Sequence, residues 1–455
     1  MKKWRLLAAA GALVTLLHHP FVSAAPLPQV ARDAGQKQTA PPRASQQPTM
    51  RPIESQQRVT TYTLPPDLYQ KSKTLSNTRF ALNLIDFIYG LFVLWVVLHF
   101  RIASKFRDWA ERAATNRFVQ AFVFTPLLIL VIAALESPTA IYEHIISRRY
   151  GLSVEGWGAL AWDWSKAILL FVAIGGVFAW ILYGVIRRSP RRWWFYFWLI
   201  SVPIIVFLSF VEPFVLEPMF FTFAPLQAKD PTLVTELEKV VMRAGLDIPP
   251  NRMFWMKASD KTPTMNAYVS GLGASKRIVV WDTTVEKETT PEIVSVLGHE
   301  MGHYVLGHVW KGLLFTLGVL FALLYLGYRC IGWMLTRWGG GWGVRGLEDW
   351  ASLPALLLIL SVFSFLFDPI SNGYSRHVEH QADVYGLEVT HGILPDAAQA
   401  AANSFQVEGE SSLAYPDPNP LNVFLFYDHP PISDRVQFLL HYDPWANGRQ
   451  PEFVK

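Results

Sequence analysis

The chain has 455 residues, of which 51% are hydrophobic, 14% aromatic and only 17% charged. A soluble domain carries nearer a quarter charged residues, so this balance points to a membrane protein. The net charge of +4 is small for the length and gives no reason to expect nucleic acid. Cys330 is the single cysteine, which excludes an internal disulfide and a cysteine-built zinc site.

Taken in chain order, the first residues read as a signal peptide over 1–25. Lys2, Lys3 and Arg5 form a basic start, Leu6 to Leu17 an apolar core, and Ser23 to Ala25 a small-residue cleavage site. An uncleaved anchor is the alternative. Residues 26–79, rich in Pro and Gln, read as a disordered arm. Apolar runs then lie near 80–100, 118–135, 167–186, 194–216, 313–335 and 352–370. Each approaches the ~20 residues that cross a bilayer as a helix. Trp193, Trp194, Trp333 and Trp338 sit at run ends, as interfacial anchors do.

These runs divide the chain into a four-span membrane domain, 80–217, and a second domain, 218–445, that includes two further spans. The expected fold is mostly α, a multi-pass transmembrane bundle with an α+β domain inserted between spans. The loop 101–117 and the loop 187–192 are rich in arginine and read as cytoplasmic. Counting spans from there puts 217–312 and the C-terminus outside.

Within 217–312, Leu233 to Ala244 has helical spacing and stops at Gly245. Met265–Ser270 and Arg277–Asp282 read as a strand hairpin. Thr290-Pro291-Glu292 then reads as a helix start, with Pro in the first turn and an acid near the positive end of the dipole.

That helix carries His299-Glu300-Met301-Gly302-His303. Residues four apart share a face, so both imidazoles can reach one ion. Glu300 can take a proton from metal-bound water. A catalytic zinc needs a third protein ligand and one open position. Val309 occupies the place where a third histidine could follow. His308 lies about 140° around the helix from His303, which suits support of a ligand better than ligation.

Glu379 supplies the third ligand, and Asp383, four residues on, can accept the free N–H of a ligand histidine. A solvated helix end is the plain alternative for that segment. The last two spans form a hairpin that can return it to the first helix, which favours ligation. His429, held before Pro430 and Pro431, could donate to an oxyanion, although the pattern alone favours a plain turn. Asn266 could contact a substrate strand, although a plain strand explains it equally.

Together these segments resemble the integral-membrane gluzincins, most closely the type I CAAX prenyl proteases. The resemblance rests on Asn266-Ala267-Tyr268 with Lys276-Arg277-Ile278-Val279, and on Leu297 to His303 continuing to Gly307-His308. It rests equally on Ser375-Arg376 leading to Glu379 and Gln381-Ala382-Asp383, and on His429-Pro430-Pro431 with Arg435. It implies one zinc per chain held by His299, His303 and Glu379, with Glu300 as base. It also implies that His429 contacts the substrate or transition state, that Arg435 supports the site, and that Asn266 contacts the substrate strand. The expected partners are a peptide or membrane-protein substrate and the lipid bilayer, and a prenyl-cysteine peptide is one candidate. A bacterial inner membrane, with the catalytic domain on the periplasmic side, is the expected location. A transporter with a structural zinc and a silent peptide-binding scaffold are the rival readings. An intact Glu300 and a three-ligand site speak against both.

Overall fold

A computed structural model describes residues 58–271 and 273–454. The expected signal peptide and the arm up to residue 57 lie outside the described residues. Helix α1 spans Pro66–His99, so the expected disordered stretch 26–79 is corrected over 66–79. Leu75 explains the early start, because it is buried with Ile146, Leu152 and Leu413. Ahead of α1, Tyr62 is buried and donates its hydroxyl to the Ala414 carbonyl at 2.7 Å.

The short amphipathic α2 (Ile102–Ala113) is followed by α3 (Arg117–Arg149), α4 (Trp157–Arg188) and α5 (Trp193–Val211). Asn116 caps α3 by accepting the Phe118 N–H at 2.8 Å. After α5, Pro213 lies in a widened turn, Glu212–Leu216.

Outside the bundle lies a sheet of four strands in the order β1-β2-β4-β3. β1 is Phe223–Pro225; helix α6 (Pro231–Arg243) follows; β2 is Met253–Met256, β3 Ala267–Ser270 and β4 Arg277–Trp281. The expected hairpin is present, with Ala267 opposite Val280 and Ser270 opposite Arg277. Its strands are shorter than expected. Asp282 leaves the ladder because Oδ1 accepts the N–H groups of Ala258, Ser259 and Thr283 at 2.8, 3.0 and 2.9 Å. β1 and β2 carry no alternating pattern and were not expected.

Helix α7 (Thr290–Val305) starts where expected, in a capping box whose Glu292 Oε2 accepts the Thr289 N–H at 2.7 Å. Gly307, at φ 70°, adopts the left-handed turn that redirects the chain into α8 (His308–Met334). Helix α9 runs unbroken over Leu353–Thr390, 38 residues, so the last span and the Glu379 segment are one helix rather than two. α10 (Ala397–Ser412) and α11 (Ile432–His441) complete the fold.

Among the described residues, six helices are long and apolar enough to cross a membrane. One core fills the bundle, with Leu128, Tyr183, Trp350 and Leu360 buried in it. A second lies between the sheet, α6, α7 and the far end of α9, and includes Leu237, Ile278, Leu297 and Val389. At the bundle end away from the sheet, Arg107 Nη1 pairs with Asp349 at 2.6 Å and donates to the Gly343 carbonyl at 2.8 Å. The arginine-rich α2 segment and the α8–α9 connection therefore share one end.

Candidate metal centre

The centre exists because α7 and α9 approach unusually closely. A Cβ placed on Gly386 would stand 2.8 Å from His299 N, and one on Gly302 would stand 3.1 Å from Tyr385. Gly298 likewise faces Thr390. Gly298 and Gly302 are four residues apart, as are Ala382 and Gly386 on α9. Small residues at that spacing let two backbones meet. The spacing is legible in sequence; which helix it packs against is not.

Across that contact stand His299, His303 and Glu379. His299 Nε2 is 3.2 Å from His303 Nε2 and 3.3 Å from Glu379 Oε2, and His303 Nε2 is 3.6 Å from Glu379 Oε1. The ligand atoms all lie within 4.8 Å of one another. A tetrahedral ion with bonds of about 2.0–2.2 Å sets its ligands roughly 3.3–3.6 Å apart. Glu379 is only 2% exposed, and its Oε2 makes no hydrogen bond. An ion between the three groups would satisfy that atom, so the residues fit a metal.

The surrounding groups set the tautomers. Asp383 Oδ1 lies 2.8 Å from His299 Nδ1, which makes Nδ1 the donor and leaves Nε2 for the metal. Arg435 grips Asp383 at two points, Nη2 to Oδ1 at 2.6 Å and Nε to Oδ2 at 2.9 Å. Its guanidinium lies 4.2 Å from the Phe405 ring centre. Burial alone would depress His299, but the Asp383 hydrogen bond and the adjacent Glu379 carboxylate outweigh it and push the imidazole up to about 9. A metal must compete with that proton.

His308 supports the other ligand. Its Nε2 is 3.1 Å from Gln381 Oε1, so Nε2 carries the proton and Nδ1 accepts from His303 Nδ1 at 3.2 Å. His303 Nε2 then has its lone pair free to bind an ion. Burial, only partly offset by Glu379, holds His303 down to about 3, in the neutral form a ligand needs.

Glu300 faces the same cavity. His429 Nε2 lies 3.3 Å from Glu379 Oε1, and its Nδ1 lies 3.0 Å from Asp428 Oδ1. Asp428 adjoins His429 in sequence, but the contact lacks hydrogen-bond geometry, and His429 Nδ1 is buried with no hydrogen-bond partner among the described residues. Asn266 borders the cavity too, but it precedes β3 rather than lying in it. Its N–H donates to Thr284 Oγ1 at 2.9 Å, and its carbonyl accepts the Trp281 N–H at 3.0 Å. The cavity has a volume of about 910 Å³. Leu82, Trp164, Phe171 and Phe220 line its membrane side, and Met265 and Tyr268 line its sheet side.

Comparison with known proteins agrees with this picture. Residues 227–443 match the sequence profile of peptidase family M48, and residues 50–222 match that of the CAAX prenyl protease N-terminal region, five membrane helices. A protein of Bacillus subtilis (strain 168), described as an uncharacterized metalloprotease, is 34% identical over 368 residues, 80% of this chain and 83% of its own length. CAAX prenyl protease 1 of Saccharomyces cerevisiae is 24% identical over 404 residues, 82% of this chain and 86% of its own. The crystal structure of S. mikatae Ste24p superposes with a TM-score of 0.71 at 19% identity, covering 96% of this chain and 99% of that one. That likeness shows the fold alone.

Proposed function

We propose, starting from the fact that this chain belongs to peptidase family M48 and is a membrane-embedded metalloendopeptidase, that it hydrolyses peptide bonds at a single zinc ion held by His299, His303 and Glu379. The observation that carries this reading is the three-ligand spacing, closed on one side by Asp383 and His308 and open to the cavity beside Glu300. A structural zinc usually has four protein ligands. Three ligands and an adjacent glutamate therefore speak against the transporter and the silent scaffold.

Zinc, when bound, supplies Lewis-acid polarisation and lowers the pKa of bound water to about 7. Glu300 takes the proton that water loses as it attacks the peptide carbonyl, and then gives it to the leaving amine. His429 donates its Nε2 proton toward the carbonyl oxygen as charge develops there. Asp383 and Arg435 keep His299 aligned. Asn266 and β3 receive the substrate as an added strand.

The apolar membrane wall of the cavity favours peptides with hydrophobic residues or a lipid tether. Relatives named as CAAX prenyl proteases make a prenylated C-terminal peptide one candidate. The metal-bearing end would face the periplasm of a bacterial inner membrane, since the arginine-rich loops lie at the other end. A cysteine placed at the exposed Asp417, in a Cys330→Ser background, should react with an impermeant maleimide on intact spheroplasts. Labelling only after lysis would reverse the orientation.

The test of the activity is cleavage of an unstructured protein and of a prenylated peptide by purified protein in detergent. Wild type should cleave at least one of them with zinc bound. Glu300→Gln should keep the zinc and lose cleavage, and an equally active Glu300→Gln would sink the mechanism.

A further inference from the structure

Glu288 stands in the turn between the short helix Asp282–Lys287 and α7, and no step above uses it. It is 8% exposed and lines the cavity. Ser404 on α10 donates to its Oε1 at 2.6 Å, whereas Oε2 has no hydrogen-bond partner. Leaving a buried carboxyl oxygen unmatched costs on the order of 1–3 kcal/mol. Burial pushes this carboxyl up to about 8; the Ser404 hydrogen bond opposes that rise, and the nearby Glu292 and Glu408 add to it.

Ser404 and Glu408 are four apart on α10 and also line the cavity, with Ala401 and Leu387 as apolar wall. Arg435 offsets part of the Glu408 charge, but its guanidinium is held by Asp383. This lobe therefore has acidic groups, an unmatched acceptor and an apolar flank. Lys and Arg side chains have the complementary form, a long aliphatic stem and a charged head. The lobe lies roughly 15 Å from the metal along α7, at about 1.5 Å per residue. An extended peptide covers that in four or five residues at about 3.3 Å each.

We propose that Glu288, Ser404 and Glu408 form a subsite for a lysine or arginine of the peptide substrate, four or five residues from the bond cleaved. The proposal rests on the endopeptidase reading above. The cationic head donates to Glu288 Oε2 and to Glu408, and the stem lies against Ala401 and Leu387. Glu288 ionises as the charge arrives and releases its proton to the water of the cavity.

The test uses zinc-loaded full-length protein in detergent and apolar peptides carrying Lys, Arg, Glu or norleucine, scanned over three to six residues on each side of the cleaved bond. At the matching position kcat/KM for Lys or Arg should exceed that for norleucine by about tenfold or more, the scale of a charge-assisted hydrogen bond. Glu288→Gln should bring that ratio near one, and Glu288→Lys should favour a glutamate at the same position. General damage to the fold lowers all peptides together and leaves the ratio intact. Wild type that cleaves without preference for a base, or Glu288→Gln with the ratio kept, overturns the subsite and leaves the endopeptidase reading standing. Wild type that cleaves none of these peptides, nor the unstructured protein nor the prenylated peptide, overturns both.

Discussion

Two membrane helices of this protein are built to different rules. In Trp350–Thr390, which contains α9, 67% of the most apolar window is buried inside the protein; in Trp193–Phe220, which begins with α5, the share is 17%. α9 is interlocked with α7 through glycines that leave no room for a methyl group. α5 presents Leu199, Phe207 and Phe210 outward, where lipid would cover them. Composition hides the difference, since both windows are strongly apolar, with mean hydropathies of 2.1 and 2.3. The proposed metal ligands sit on the interlocked pair, where backbones that cannot slide would hold a ligand set in its geometry.

Substitutions can break or sharpen that contrast. The largest effect is expected from metal removal: a chelator should abolish cleavage, and added zinc should restore it, read by a peptide assay. Glu300→Gln should follow, lowering kcat by about 10²–10⁴ while zinc content measured by atomic emission stays unchanged. Asp383→Asn keeps the side-chain size but strips His299 of its charged acceptor. Zinc affinity, measured by competition with a fluorescent chelator, should fall about 10–100-fold. Gly386→Ala places a Cβ against the His299 backbone and should destabilise by about 1–3 kcal/mol, seen as a lower unfolding midpoint together with reduced zinc occupancy. The smallest effect belongs to the outward face. Phe207→Leu on α5, where Phe207 is 63% exposed, should shift stability in detergent by no more than about 0.5 kcal/mol. A Phe207 variant as damaging as Gly386→Ala would erase the distinction.

Much of the site was legible because helical spacing is local. His299 and His303 share a face by arithmetic, and so do Glu379 and Asp383, and the structure puts these pairs opposite one another. The supporting role expected of His308 is met by a different route: the helix ends at Val305, and the left-handed turn at Gly307, not a helical offset of about 140°, brings His308 to His303. β1 and β2 were not legible, because β2 pairs in parallel with β4, its direct neighbour in the sheet but separated from it in sequence by β3, and Met253-Phe254-Trp255-Met256 has no period of two. The start of α1 was missed for a related reason. Residues 66–79 are polar on average, and they are helical because Leu75 packs on the α3–α4 connection and on Leu413. Glu288 gave no pattern, since it matters only through Ser404, a neighbour from another element.

The sequence by itself determined that this chain crosses a membrane repeatedly and that one helix carries two imidazoles on a shared face with a glutamate beside them. Composition and short-range periodicity are properties of neighbouring residues, and they survive without a fold. Only the tertiary structure decided that α9 continues unbroken from the bilayer into the site and that glycines let it touch α7. It also decided that the resulting centre opens on an apolar cavity with an acidic lobe. Those outcomes depend on backbones distant in sequence coming within a methyl group of each other, a distance no local pattern encodes.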